Sequence, residues 1–534
     1  MLNKICDLNL GFSDAQNYGQ KSNKEMFNEI FVKNVFLESI LEKQRYFLIG
    51  EKGTGKTAYA TYLSNNNYKN NISYTQYLSA TDYEKFYTMK KRKKLSITDY
   101  PDIWKVILLL SLSKFLVDNK QHMSFISKRF DILCLIKAID NYYLNAFSPE
   151  FDKAIKVVSE SDKVAKLLIN EVAEIGVNNG SKVESTEIGM QTYLLFLERQ
   201  FMNAIDGVSL KTNIIMFVDG IDVRPGDMPY EDYMHCIKGL ANAAWYLNTD
   251  FFQNIKGSVG RIKIVLLLRP DIYSSLNLQN SANKLMDNAV FLDWRTTYKE
   301  YKDSFLYKLA SKLLLYKQCN LDELEQMENV IVEKYFDWKL TPTSKSRKFD
   351  TAFMAFLRIS LSRPRDISVI FQYIRKVMLQ RNMGEYRKFS SKCFESDVFQ
   401  NMYSEYFLTS LKDQLSFYYS EKDYANFLKF IRMFDNAEFS YEIFEKNYMS
   451  FIKNTFKEQN VNIPEFFDEP QKLLQLLYDA NMIASIKSDI NGKYFAFSYR
   501  EKNSFNISPE VLMGNNILYR FHYGMYKKNK FGRF

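Results

Sequence analysis

Glycine and proline are scarce in this chain, with 19 and 10 in 534 residues; glycine stands at about half its usual share of ~7%. That scarcity excludes a collagen-like repeat and a flexible low-complexity linker protein. Only three histidines occur, and the five cysteines (Cys6, Cys134, Cys236, Cys319 and Cys393) are far apart, odd in number and never form a CxxC. A disulfide framework is thereby excluded, and a zinc site is not expected. Long apolar runs are missing too. The longest, Val106 to Val117, contains Lys114 and is too short to span a bilayer. The opening stretch, MLNKICDLNLGFSD, lacks the apolar core of a signal peptide. A reducing, cytoplasmic setting with no membrane contact is therefore expected. The net charge of +10 is modest for this length; it permits an anionic partner without demanding one.

What the chain does have is apolar and aromatic mass, at 46% and 16% of residues. That is enough to bury a large core and to exclude disorder as the dominant state. Glycine-free spans with apolar residues at helical spacing predict helices over Ile103 to Val117 and Tyr298 to Tyr316, and along the stripe Ile367, Ile370, Phe371, Ile374 and Met378. Four short apolar runs, Tyr46–Ile49, Ile214–Val218, Ile262–Leu268 and Val290–Leu292, suit strands buried on both faces. The expected fold is an α/β core with a mainly parallel sheet over residues 1–300, interrupted by a helical insertion over about 97–200. A helical lid over 301–385 and a C-terminal domain over 386–534 follow. In that domain, helical stretches over Tyr424–Met433, Tyr441–Thr455 and Pro470–Ala480 precede two strand-like runs around Asn491-Gly492, the strongest short hairpin signal. Helices followed by a hairpin predict a winged-helix-like module.

Three of the few glycines gather in Gly50-Glu51-Lys52-Gly53-Thr54-Gly55-Lys56-Thr57, a complete G-x-x-x-x-G-K-[ST] loop between an apolar run and a helix-compatible run that begins at Ala58. Glycines let the backbone wrap a phosphate chain with its N–H groups pointing inward. The following helix adds its positive N-terminal end. Lys56 supplies a charge for the β- and γ-phosphates, and Thr57 a hydroxyl for Mg²⁺. Lys52, Gly53, Thr54, Gly55 and Ala58 complete the expected cradle. A chance glycine turn would not come with these flanks in so glycine-poor a chain.

Such a loop needs an acid for the metal. Asp219, at the end of the Ile214–Val218 run, is the candidate, since ligands of open α/β sheets sit at strand ends. Asp222 can orient or activate an attacking water, or simply cap a turn. Arg269 ends the next apolar run and is placed to reach a γ-phosphate, or to pair with Asp271. Arg363-Pro364-Arg365-Asp366 opens the lid helix; Pro there is ordinary, but an arginine at that point can close over a nucleotide.

The ordered set GEKGTGKT, FVDGID, LLLRPD and SRPRD, followed by a winged-helix-like tail, resembles the AAA+/STAND division of P-loop ATPases. It is similar to bacterial ATPases with a GxKGxGKT-type loop and to initiator-type ATPases with a C-terminal winged helix. The resemblance covers about residues 25–60 and 210–380, the tail loosely and the insertion hardly at all. It implies ATP and Mg²⁺ as cofactors, Lys56 and Thr57 as Walker A residues, Asp219 as the Walker B metal ligand and Asp222 as the second acid of DGxD. It also implies Arg269 as sensor 1 and Arg365 as the sensor 2 arginine. Two departures stand out: Gly220 replaces the Glu that many AAA+ enzymes carry after the metal-binding Asp, and Val223 replaces a STAND acid. The function implied is a nucleotide-gated switch that controls self-assembly into a homo-oligomer or a protein effector, as in bacterial defence against phage. The alternatives are a nucleic-acid-dependent ATPase or loader and a non-hydrolysing scaffold. For the loader, the support is three basic clusters (Lys90–Lys94, Lys345/Arg347/Lys348 and Lys527/Lys528/Lys530/Arg533) with Tyr519, Phe521, Tyr523 and Tyr526 as base-stacking candidates.

Overall fold

The computed structural model describes residues 2–79, 83, 100–125, 127, 130–145, 182–226, 228–318, 327–340, 350–419, 421–458, 462–464, 467–489, 492–503, 505–514 and 516–531. Its first layer is a five-stranded parallel sheet of β1 (Phe47–Ile49), β2 (Asn71–Tyr77), β3 (Asn213–Asp219), β4 (Ile262–Leu268) and β5 (Ala289–Phe291), in the order β2-β3-β4-β1-β5. The apolar runs are continuous because both faces are covered. Leu48, Ile215, Phe217, Val265 and Leu267 join one buried cluster, whereas Phe47, Ile49, Ile214, Met216, Val218, Ile264 and Leu266 join another. Successive residues of a strand point to opposite faces, so each run serves two cores. Each large side chain so buried stabilises by roughly 1.5–3 kcal/mol.

One face is covered by α1 (Lys56–Asn65), which leaves the phosphate loop. The other is covered by α2 (Tyr100–Asp118), α3 (Lys182–Asp206) and α4 (Tyr230–Tyr246). The described part of the expected insertion is thus a layer of the core. Trp104 of α2 is wholly buried and its indole N–H donates to the Cys236 carbonyl at 3.0 Å. A Cβ at Gly239 of α4 would meet the Cβ of Tyr100, which is how these helices pack so closely.

The lid holds α5 (Phe305–Leu315) and α6 (Pro364–Gln380), together with a two-stranded ribbon, β6 (Lys339–Leu340) and β7 (Asp350–Thr351). The tail holds α7 (Asp397–Leu415), α8 (Glu421–Ile431), β8 (Glu438–Ser440), α9 (Tyr441–Ile452), α10 (Pro470–Asp479), β9 (Ile483–Asp489), β10 (Gly492–Phe497) and β11 (Leu518–Phe521). The expected hairpin is present, with Gly492 opposite Asp489, inside a four-stranded antiparallel sheet ordered β10-β9-β11-β8. One apolar cluster runs unbroken from the sheet face through α5 and α6 into α7, α10, β9 and β11, so lid and tail share a core with the sheet.

One expectation is corrected here. Tyr519, Phe521 and Tyr526 are 0%, 0% and 4% exposed, so they are core residues and not base-stacking surface. The basic clusters at 90–94 and 345–348, and Arg533, lie outside the described residues, while Lys527 and Lys528 pair with Asp397 and Glu405. No helix among the described residues is long and apolar enough to cross a membrane.

Candidate nucleotide site

The loop between β1 and α1 has the shape its composition predicts. Gly53 and Gly55 take φ of +89° and +95°, a region L side chains rarely enter. Gly50 is glycine for another reason, since a Cβ there would collide with the Thr54 hydroxyl. That hydroxyl donates to the Glu51 carbonyl at 2.8 Å, and the Trp294 indole N–H donates to the Thr54 carbonyl at 2.8 Å, which fixes the loop from below. Lys56, the first residue of α1, curls back and donates to the carbonyls of Gly50 at 2.7 Å and Glu51 at 3.3 Å. The first N–H groups of a helix have no intrahelical acceptors, and here they open onto a cavity of 390 Å³.

Strand β3 delivers Asp219 to the same cavity. The Thr57 hydroxyl donates to Asp219 Oδ2 at 2.6 Å, and the Gly220 N–H donates to Oδ1 at 2.9 Å. Burial raises the Asp219 carboxyl above its ordinary range, and these two donors with Lys56 pull it back. Burial likewise lowers the Lys56 ammonium, against the attraction of Asp222 and Asp219. Asp222 lines the cavity. Gly220 has φ of +84°, and a Cβ on it would drive into the Leu78 carbonyl oxygen. The residue after Asp219 is therefore glycine by steric necessity. A glutamate could not stand there without moving β2.

Arg269 leaves β4 toward the cavity and is 1% exposed. Its Nε donates to Asp271 Oδ1 at 3.0 Å and Nη2 to Oδ2, while Nη2 also approaches the Gln414 carbonyl at 3.3 Å. The guanidinium lies over the Phe417 ring, 5.4 Å from its centroid. Nη1 is buried without a hydrogen-bond partner. Burial would raise the Asp271 carboxyl, but the arginine and the Tyr418 hydroxyl hold it at about 2. The expected pairing with Asp271 is thus real but buried, and it leaves one N–H unspent.

The lid grips the loop through its backbone. The Arg365 N–H approaches the Gly53 carbonyl at 3.4 Å, and the Arg363 Nη1 donates to the Lys52 carbonyl at 2.8 Å. Arg365 lines the cavity and donates from Nε to the Ser13 carbonyl at 3.0 Å. Arg363 is held by a buried two-point ion pair with Asp366. Lys52 lines the cavity and pairs through its ammonium with Asp413 of α7 at 3.0 Å.

Several contributors escape sequence reasoning. The segment from Phe12 to Gln16, with Leu309 and Leu313 of α5, walls the cavity away from the phosphate loop. Lys502 of the tail, 4% exposed at its side chain, pairs with Glu51 at 2.6 Å. Neither carries a local motif. Among the described residues no group of three or more His, Cys, Asp or Glu side chains could hold a metal. Thr57 and Asp219 would hold a cation here, a sparse set that suits Mg²⁺ shared with phosphates and water. No protein-family model matches the chain, and no curated protein matches it.

Proposed function

We propose that the chain is a P-loop ATPase of the AAA+/STAND kind, whose nucleotide state governs how the tail docks, and through it self-assembly or the release of a protein effector. The observation that carries this reading is the 2.6 Å hydrogen bond between Thr57 and Asp219. It joins the last residue of a complete phosphate loop to the acid at the end of β3, close enough for the two to share one Mg²⁺. The unpaired Arg269 Nη1 and the positive-φ glycines fit the same ligand, a nucleoside triphosphate.

In this reading the loop N–H groups and Lys56 bind the phosphates, and Thr57 and Asp219 hold the metal, which neutralises phosphate charge when bound. Arg269 offers its free N–H to a terminal phosphate oxygen. Asp222 serves as the water-orienting acid, because the position where related enzymes carry glutamate can only be glycine here. The order α8–β8–α9–α10–β9–β10 supports a winged-helix reading of the tail, with β11 added between β9 and β8.

That arrangement favours a protein-docking role over nucleic-acid loading. The helix before the hairpin, α10, buries Leu473, Leu474, Leu476, Leu477 and Tyr478. Its Gln475 is tied to Pro509 and Val511 of the following loop. Little is left to enter a groove.

The test is ATP affinity, ATP turnover and native mass, with and without nucleotide, DNA and RNA. Wild type should bind ATP and change mass or tail protease sensitivity. Lys56→Ala should lose binding, and Asp219→Asn should lose the Mg²⁺ dependence. ATP binding undiminished in Lys56→Ala would sink the proposal.

A further inference from the structure

A second cavity, of 320 Å³, opens at the other edge of the parallel sheet, where Asn71, Asn213 and Ile262 begin β2, β3 and β4. Strands rise about 3.3 Å per residue, so the seven residues of β4 set it roughly 20 Å from the phosphate loop. Its volume lies at the lower end of ligand pockets, about 300–1,000 Å³.

The lining is unusual in charge. Lys43, Arg261 and Lys263 contribute to it and no carboxylate does. Lys263, the second residue of β4, is a charged side chain only 8% exposed. Its ammonium donates to the main-chain carbonyls of Ile40 and Glu42, the latter at 2.7 Å. The Glu42 carboxylate, whose charge acts on Lys263, is exposed and bound to Arg45 at 3.0 Å and Gln44 at 3.1 Å. Arg261 is anchored through Nη1 to the Ile255 carbonyl, its main-chain N–H accepted by the Asn213 side chain. None of the three cations forms an ion pair among the described residues.

Burying an ammonium without a counter-charge is costly, and proteins ordinarily pair or neutralise it. Consistent with that cost, burial pulls the Lys263 ammonium down to about 7. Methionine or leucine would fill the same space at no such cost. A lysine that opens onto a cavity with two further cations and several carboxamides, Asn71, Asn213 and Gln253 among them, is arranged to meet an anion.

We propose that this cavity binds a small oxyanion, carried as a phosphate or a carboxylate on a compact ligand, with Lys263 as the buried charge partner and Arg261 and Lys43 at the mouth. The site is independent of the phosphate loop. A ligand here contacts the beginnings of the strands whose ends carry Asp219 and Arg269.

The experiment is thermal unfolding and calorimetric titration with inorganic phosphate in one arm and citrate in the other. It uses wild type, Lys56→Ala, Lys263→Met and Arg261→Gln; Lys56→Ala removes phosphate binding at the loop. At least one anion should raise the melting temperature of wild type and Lys56→Ala saturably. Lys263→Met should be no less stable without anion and should weaken binding at least tenfold. Arg261→Gln, a change at an exposed side chain that leaves the core intact, should weaken it several-fold. A response to phosphate alone assigns a phosphorylated ligand, and one to citrate alone a carboxylate. The proposal is overturned if neither anion binds Lys56→Ala, or if Lys263→Met and Arg261→Gln bind as wild type does.

Discussion

Replacing Lys502 by methionine tests how firmly the tail is bound to the phosphate loop. The Lys502–Glu51 pair joins residues 451 positions apart, with side chains 4% and 13% exposed. Burial drives the Lys502 ammonium down, but Glu51 and Asp479 hold it above the usual lysine range. Methionine fills the lysine's volume and removes its charge. Glu51, 13% exposed at its side chain, is then left beside Asp479 without its hydrogen-bonded cation. Removing one partner of a buried pair costs about 3–5 kcal/mol, a large share of a typical ~5–15 kcal/mol. Glu51→Gln leaves the lysine with Asp479 and should cost less, about 2 kcal/mol. The double variant should recover part of the sum, for a coupling of about 2 kcal/mol. Urea unfolding of all four proteins measures the cycle. The penalty also depends on pH. Burial raises the Asp479 carboxyl to about 6 in spite of Lys502. A raised carboxyl contributes stability that is complete below its unfolded value and is lost as pH rises through the folded one. Without Lys502 that loss moves to higher pH, so the deficit of Lys502→Met should be smaller at pH 5 than at pH 8. Single-variant costs below about 1 kcal/mol, the value of a surface pair, would refute the reasoning.

Four further outcomes follow from the same geometry. Gly220→Ala forces a side chain into the Leu78 carbonyl at a φ of +84°; it should destabilise by about 2–4 kcal/mol in urea unfolding and weaken Mg²⁺-dependent nucleotide binding. Asp222→Asn should lower turnover about 10²-fold or more while nucleotide affinity is kept, and unchanged turnover would remove Asp222 from its assigned role. Lys263, with its ammonium lowered to about 7, leaves the unfolded chain holding the extra proton between pH 7 and the ordinary lysine value. Wild type should therefore gain about 3 kcal/mol relative to Lys263→Met between pH 7 and pH 9.5 in anion-free buffer; a flat difference would mean the ammonium is not desolvated. Arg363→Lys loses the two-point pair with Asp366 and the bond to the Lys52 carbonyl, and should cost about 2–3 kcal/mol.

The parts legible in the sequence are those written in contiguous residues. The phosphate loop is eight residues long, and its glycines stand where the backbone turns to positive φ or where a Cβ would strike Thr54. β3 and β4 were legible because burial on both faces makes them continuous apolar runs. β2 was not: as an edge strand, Asn71–Tyr77 mixes apolar with polar residues and ends exposed. β8 and β11 are three and four residues long, too short for any period; β11 is held by pairing with β9, and β8 by pairing with β11. The RPRD motif points to Arg365, which lines the cavity, while Arg363 holds the loop by a side-chain bond to the Lys52 carbonyl. Asp366, in the same motif, captures the first guanidinium in the core, and the motif alone does not say which arginine it takes. Long-range partners such as Ser13 for Arg365 and Lys502 for Glu51 are set by packing alone.

Arg269 shows why the tail and the cavity at the glycine-rich loop cannot be treated as separate parts. An arginine has five N–H donors in a rigid fork. Here Asp271 takes the Nε and one Nη2 donor, the Gln414 carbonyl of α7 approaches the same Nη2, and Phe417 covers the flat face. Asp271 is in turn bound by Tyr418. One side of the guanidinium is thus gripped by the tail, and the other, Nη1, is buried beside the cavity with no acceptor. An unsatisfied buried donor costs about 1–3 kcal/mol, so an acceptor arriving from the cavity gains that much before any Coulomb attraction is counted. A small rotation toward such an acceptor must come at the expense of Gln414 or Phe417, because the fork is rigid and Asp271 holds its other edge. Lysine has neither fork nor flat face, so Arg269→Lys should uncouple the two sides even where it preserves the charge: nucleotide could still bind, but its presence would no longer alter protease cleavage within residues 413–420. Cleavage that still follows nucleotide in Arg269→Lys would show that the signal reaches the tail by another route, with Lys502–Glu51 the next contact to break.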